Sequence, residues 1–206
     1  MHWPAWLLIL IVIIVALKVL DNSKTFTGFL GEQAVRSQLK RIGNSNCLVV
    51  HNLMVPRHDG NGTSQIDHVV VFRGGLAVIE TKNWAGRVYG KGSDRTWTIT
   101  LGRRKYRNEN PILQNKGHIK SLKAVVGGDI PIYNVVVFTR RTDLRLQGVQ
   151  DAAVLRPGQL AEFLTSKCDI LTEDQMRCIH QQLVKANITD SRARKQHVTN
   201  LRRQWK

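Results

Sequence analysis

Two carboxylates and a lysine stand near the ends of two adjacent apolar runs. The first run is Gln65-Ile66-Asp67-His68-Val69-Val70-Val71-Phe72 and the second is Leu76-Ala77-Val78-Ile79-Glu80-Thr81-Lys82. Apolar residues on both faces of each run place the pair inside a sheet. Charged groups at the ends of such strands need a partner or a task, because an unpaired buried charge is costly. If the runs form a hairpin closed by Gly74-Gly75 in a type I′ turn, Arg73 opposes Leu76 and Asp67 opposes Lys82. Glu80 then falls on the same face, diagonal to Asp67 at about 7–8 Å, against about 5 Å for a directly opposed residue. A loop one residue longer turns Asp67 to the other face. Two carboxylates and an ammonium grouped this way suit phosphodiester hydrolysis. The carboxylates would hold one or two Mg²⁺ ions, and the ammonium would orient the attacking water or offset developing charge. The same three residues also suit a structural salt bridge at a strand end.

The elements that must position this triplet follow from periodicity and punctuation. Phe29 to Ile42 reads as a helix, with Val35, Leu39 and Ile42 at helical spacing and Gly43 as its stop. Glu32, three residues before Val35, points near the core side of that helix and offers a third carboxylate. Cys47 to Val55 is strand-like and Pro56 to Ser64 is a loop. Arg87 to Tyr89 and Trp97 to Leu101 are weaker strands. Asn110-Pro111 is a cap followed by a first-turn proline, opening a helix to about Val126 that Gly127-Gly128 ends. Gln114 and His118 share a face of it at i, i+4. Gln114 is expected to reach the site; His118 suits substrate contact or packing equally. His68 faces away from Asp67 and is expected to be structural, as are Trp84 and Trp97. Ile132 to Phe138 is a buried strand, and Leu160 to Leu164 and Glu173 to Lys185 are closing helices. The order predicts an α/β fold, a mixed sheet flanked by helices.

Charge narrows the partner. With 31 Lys+Arg against 15 Asp+Glu, the formal net charge is +16, which suits a polyanion, either nucleic acid or an acidic lipid surface. Arg103, Arg104, Lys105 and Arg107 form a basic run around Tyr106, in a predicted loop, and suit either a solvated loop or phosphate contacts. Arg192 to Lys206 is a second basic stretch. Cys47, Cys168 and Cys178 form no C-x-x-C pair, so neither a zinc ribbon nor a disulfide framework is indicated.

The first twenty residues read as a membrane anchor. Trp3 to Leu17 carries no charge, and Leu7 to Val15 is purely Leu, Ile and Val. Those central aliphatics contribute roughly −3 to −5 kcal/mol to insertion. The stretch to Leu20 spans a bilayer if Lys18 snorkels to the headgroups. A cleaved signal peptide wants basic residues before the apolar run; here Lys18 and Lys24 follow it. The positive-inside bias then places the rest of the chain in the cytoplasm.

The segments Gly28-Phe29-Leu30-Gly31-Glu32, Gln65-Ile66-Asp67-His68, Val78-Ile79-Glu80-Thr81-Lys82-Asn83-Trp84-Ala85-Gly86 and Asn110-Pro111-Ile112-Leu113-Gln114 together resemble the nuclease-related domain (NERD) family. That family is placed within the PD-(D/E)XK superfamily of restriction-endonuclease-like folds. The resemblance spans roughly Thr27 to Thr139. It implies an acidic strand residue at Asp67, an acidic and basic pair at Glu80 and Lys82, a first-helix acid at Glu32 and a helix glutamine at Gln114. Asp67, Glu80 and Glu32 would then be metal ligands. Ile66 stands where the superfamily pattern has proline.

The expectation is a single-pass membrane protein with a cytoplasmic restriction-endonuclease-like domain that cleaves DNA, with RNA as a second substrate, using Mg²⁺ or Mn²⁺. Its organisation is an anchor over 1–20, a linker over 21–27, a nuclease core over 28–140, a strand and helix extension over 141–187 and a basic tail over 188–206. The sequence carries no signal of oligomeric state. The rival expectations are a nucleic-acid-binding module without turnover and a membrane-surface scaffold.

Overall fold

The computed structural model of the protein describes residues 6, 10, 28–43, 47–139 and 141–204. The predicted membrane span 3–20, Trp6 and Leu10 apart, and the linker 21–27 lie outside the described residues. Among the described residues no helix is long and apolar enough to cross a membrane.

Helix α1 (28–42) buries Gly31, Val35 and Leu39, one stripe at i, i+4, i+8. Gly43, at φ 85°, ends it. Strands β1 (Cys47–Pro56), β2 (Thr63–Phe72) and β3 (Gly75–Lys82) then form an antiparallel meander. β4 (Gly86–Lys91), β5 (Thr96–Leu101) and β6 (Arg104–Glu109) form a second meander. Helix α2 (Pro111–Val126) follows, with the Asn110 side chain accepting from the Ile112 amide at 2.9 Å. β7 (Ile132–Phe138) returns parallel to β3. β8 (Thr142–Gln147), β9 (Ala153–Leu155) and helices α3 (Leu160–Thr165), α4 (Glu173–Ala186) and α5 (Ser191–Gln204) follow.

Two mixed sheets result, β1-β2-β3-β7-β9 and β6-β5-β4-β8. The single mixed sheet expected from the sequence is therefore two. Val69, Val71 and Val78 on one face of the larger sheet pack against Leu122 of α2 and Met176 and Leu183 of α4. Val70, Ile79 and Val137 on the other face pack against Val35 and Leu39 of α1 and Leu160 of α3. The smaller sheet covers one face with Val88, Trp97 and Ile99, which meet Ile112 and Phe138.

The basic run expected as a loop is strand β6, with only Arg103 in the preceding turn. Its register with β5 runs from Leu101↔Arg104 to Thr96↔Glu109. It buries no residue, so it lacks the apolar alternation that marks a strand in sequence; backbone pairing alone makes it one. The predicted Arg192–Lys206 tail is helical over α5.

Candidate active site

The β2–β3 hairpin sets the geometry. Phe72 pairs with Gly75, and the register continues through Val71↔Leu76 and Val69↔Val78 to His68↔Ile79. The two-residue turn is thus Arg73-Gly74. Neither residue has a positive φ, so the turn is not type I′. Gly75 belongs to the strand. It sits at φ 124°, and a Cβ there would lie 2.4 Å from the Pro131 carbonyl oxygen; the neighbouring Leu76 amide donates to that oxygen at 2.9 Å. This close approach draws Gly75 out of the turn.

Carried one step further, the register sets Asp67 opposite Glu80, where a Gly74-Gly75 turn would set it opposite Lys82. The displacement is two residues, an even number, so Asp67 still shares a face with Glu80 and Lys82. Asp67 Oδ2 accepts a hydrogen bond from the Thr81 amide at 2.8 Å. Lys82 Nζ donates to Glu80 Oε1 at 2.6 Å and to Gln114 Oε1 at 2.9 Å. One helical turn beyond Gln114, His118 Nε2 lies 3.5 Å from Glu80 Oε2, while its Nδ1 meets Ser64 Oγ at 2.7 Å. Gln114 and His118 therefore both reach the triplet from α2.

The environment separates the two carboxylates. Burial, and after it the facing Glu80 charge, pushes the Asp67 carboxyl well above its ordinary value. Burial works on Glu80 in the same direction, but the Lys82 charge and the contacts with His118 outweigh it and hold Glu80 low. Burial would lower Lys82, yet Glu80 beside it holds the ammonium above its ordinary value. Glu80 is the ionised partner of Lys82, and Asp67 is the carboxyl that retains a proton most readily.

Glu32 approaches from the opposite side of the sheet. A Cβ on Gly31 would lie 2.9 Å from Asn83 Cβ, so the first turn of α1 runs against the end of β3. Glu32 is half-buried there, and burial raises its carboxyl, with Arg36 opposing and Glu80 adding. His68 lies away from the triplet, its Nδ1 2.8 Å from His51 Nδ1; burial and the neighbouring His51 lower it to about 3. Trp97 is fully buried and stacks on Phe138. Trp84 meets Phe138 edge-on, with the Lys82 ammonium 5.8 Å from its ring.

A cleft of about 650 Å³ opens over the triplet, walled by Asp67, Lys82, Trp84, Gln114, His118 and His197 among others. Arg103, Arg104, Lys105 and Arg107 do not line it; the end of their strand, Asn108 and Glu109, does. His197, on α5, has no local sequence signal that marks it as a site residue. It is buried, and its Nδ1 lies 2.9 Å from Thr63 Oγ1. Ser64, expected in a loop, belongs to β2 and is buried like Ile66 two residues on, with the less buried Gln65 between them, as strand alternation requires.

Among the described residues no group of three or more His, Cys, Asp and Glu side chains is set to hold a metal ion. The donor set is nonetheless all oxygen. Two carboxylates repel each other beside an open cleft, with a third close enough to raise Asp67 further. That chemistry fits a hard divalent cation such as Mg²⁺ or Mn²⁺, which keeps waters and completes its shell with substrate oxygens.

The model of the nuclease-related domain matches residues 27–139. An uncharacterized protein of Bacillus anthracis is 32% identical over 199 residues, covering 94% of this chain and 93% of the relative. No solved structure matches. The matched span runs from α1 to the end of β7, and His197 is the one described cleft-lining residue outside it. The chain belongs to the nuclease-related domain family.

Proposed function

We propose that the protein is a nuclease that cleaves phosphodiester bonds in DNA, and secondarily RNA, on a restriction-endonuclease-like core tethered to the cell membrane. The observation that carries this reading is the grouping of Asp67 with the Glu80–Lys82 ion pair, with Asp67 and Lys82 lining an open cleft. A divalent cation held by Asp67 and Glu80 would supply Lewis acidity and charge neutralisation at the scissile phosphate. The protein's own groups do the rest. Lys82 uses two of its three ammonium hydrogens on Glu80 and Gln114, leaving one for a phosphate oxygen or the attacking water. Gln114 keeps the ammonium aimed into the cleft. His118, between Ser64 and Glu80, is placed to contact substrate and to steady the Glu80 carboxylate.

Cleavage of labelled single- and double-stranded DNA by the full chain, with Mg²⁺, Mn²⁺ or EDTA, tests this directly. Metal-dependent products that disappear in Asp67→Asn support it; equal products in EDTA, or none with either metal, refute it. A second reading, nucleic-acid binding without turnover, draws on the 2.6 Å Lys82–Glu80 contact, which occupies one of the two carboxylates. It predicts salt-sensitive binding with no product. The membrane tether rests on the uncharged run from Trp3 to Leu17, and the cytoplasmic position of the domain on Lys18 and Lys24 behind that run.

A further inference from the structure

The smaller sheet turns one face to the core and the other to solvent. In its register Arg107 pairs with Thr98, Thr98 with Tyr89 and Tyr89 with Arg145. These four side chains therefore form one row across all four strands on the same face. The row on one side is Lys105, Thr100, Arg87 and Asp143; on the other, the pairs Glu109↔Thr96 and Lys91↔Gln147 fall in one row when the β4–β5 register is carried two residues past Tyr89↔Thr98. The core-facing residues between them include Val88, Trp97 and Ile99.

This outer face is built as a channel. Thr96, Thr98 and Thr100 of β5 make a low floor, and the longer side chains of β4 and β6 rise on either side. A groove of about 540 Å³ runs there, lined by Tyr89, Lys91, Arg95, Thr98, Arg107 and Arg145 among others. Five cations share the three rows with two acids. Asp143 is engaged by Arg87 at 3.4 Å and Arg145 at 3.3 Å. Lys91, Lys105 and Arg107 are exposed and make no ion pair among the described residues. Tyr89, in the central row, is 41% exposed.

We propose that this outer face is a docking platform for single-stranded nucleic acid, with Lys91, Lys105 and Arg107 meeting phosphates and Tyr89 stacking on an unpaired base. The proposal rests on the nuclease reading for its choice of partner and extends it to a second surface, distinct from the cleft. A positive groove with an aromatic ring in its wall is what sequence-tolerant single-strand binding needs. A duplex keeps its bases stacked and would leave Tyr89 idle. An anionic membrane would use the cations alone, and this face carries no aliphatic side chain to enter the acyl boundary. Strand spacing of about 4.8 Å sets the Arg107 and Arg145 backbones roughly 14 Å apart, so a strand lying along β5 has cations on both flanks.

The test uses the full chain in detergent with EDTA, and fluorescence anisotropy of labelled oligothymidine over a range of salt. The triple variant Lys91→Ala/Lys105→Ala/Arg107→Ala is expected to bind at least tenfold more weakly, with its salt slope reduced by about 2. Tyr89→Ala is expected to lose about 5- to 100-fold and Tyr89→Phe to bind as the unaltered chain does. All these positions are exposed, and thermal melts confirm that the variants fold. Unchanged affinity and slope in the triple variant overturn the platform whether or not the protein cleaves DNA. So does a loss confined to phosphatidylserine vesicles, or a loss on duplex with Tyr89→Ala silent. Loss of oligothymidine binding in these variants, when neither they nor the unaltered chain cleaves with metal, supports the platform and counts against the nuclease reading alone.

Discussion

Glu80 and Asp67 share one face of neighbouring strands, but among the described residues Glu80 alone of the two has an ion-pair partner: Lys82 Nζ lies 2.6 Å from Glu80 Oε1, while Asp67 Oδ2 accepts from the Thr81 amide at 2.8 Å. Two carboxylates in one site, Glu80 buried and Asp67 half-buried, thus carry opposite shifts, and the same neutralising substitution should act on them in opposite directions.

Asp67→Asn should stabilise the metal-free protein at neutral pH. A carboxyl raised in the folded state favours folding while protonated. That contribution is complete below its unfolded value, near the ordinary 3.8, and is lost as pH rises toward the folded value. Melts in EDTA should therefore show Asp67→Asn above the unaltered protein at pH 7 and the two converging near pH 4. Adding Mg²⁺ or Mn²⁺ should raise the melting temperature of the unaltered protein but not of the variant. A variant less stable at pH 7 and indifferent to pH would contradict the shift.

Glu80→Gln should do the reverse. It leaves the Lys82 ammonium, its side chain 18% exposed, with Gln114 as its remaining partner among the described residues, and should cost up to roughly 3–5 kcal/mol, the range for breaking a buried pair. Lys82→Ala should cost a similar amount by stranding Glu80. Urea unfolding of the two single variants and the double Glu80→Gln/Lys82→Ala gives the coupling. Additive losses would mean that the close contact carries no energy.

Gly31→Ala probes the placement of Glu32. The added methyl would start 2.9 Å from Asn83 Cβ, and relief requires α1 to move away from β3. A loss of about 1–3 kcal/mol is expected for such overpacking. Cleavage should fall alongside it, because Glu32 withdraws from the carboxylate pair. Unchanged melting together with unchanged cleavage would mean that α1 is not held against β3.

Helix α5 joins the cleft wall, so removing residues 191–206 should alter catalysis as well as affinity. Arg194 donates to the Asn52 carbonyl at 3.2 Å and to the Asn187 side chain at 3.1 Å, anchoring the helix that carries His197. His197→Ala should raise KM more than it lowers kcat, since Thr63 rather than the carboxylate pair is its partner. A truncated chain with unaltered kcat and KM would return the segment to a remote, purely electrostatic role.

The proposed topology has its own check. Protease added to intact spheroplasts should spare the domain, and lysis should expose it. Digestion from the outer side, or a mature chain that starts beyond residue 20, would reverse the orientation or remove the anchor.

Much of the site is legible in the sequence because the signals involved are local. Alternation and apolar runs mark β2 and β3, Asn110-Pro111 and Gly127 bound α2, and the 3.6-residue period puts Gln114 and His118 on one face of it. The face shared by Asp67, Glu80 and Lys82 depends only on the parity of the hairpin, and parity survives a two-residue shift in register. What opposes Asp67 is decided elsewhere, by the Pro131 carbonyl against Gly75, a contact with no trace in the hairpin's own residues. Strand β6 and the second sheet escape for a related reason: an edge strand with no buried side chain is held by backbone pairing, which side-chain pattern does not record. His197 is the extreme case. Its local sequence reads as a basic tail, and only the docking of α5 through Arg194 brings an imidazole from the far end of the chain into the cleft. Sequence determined the local elements and the chemical inventory, since both depend on neighbours along the chain. Tertiary structure decided which inventory meets, since that depends on contacts between segments whose separation along the chain carries no periodic mark.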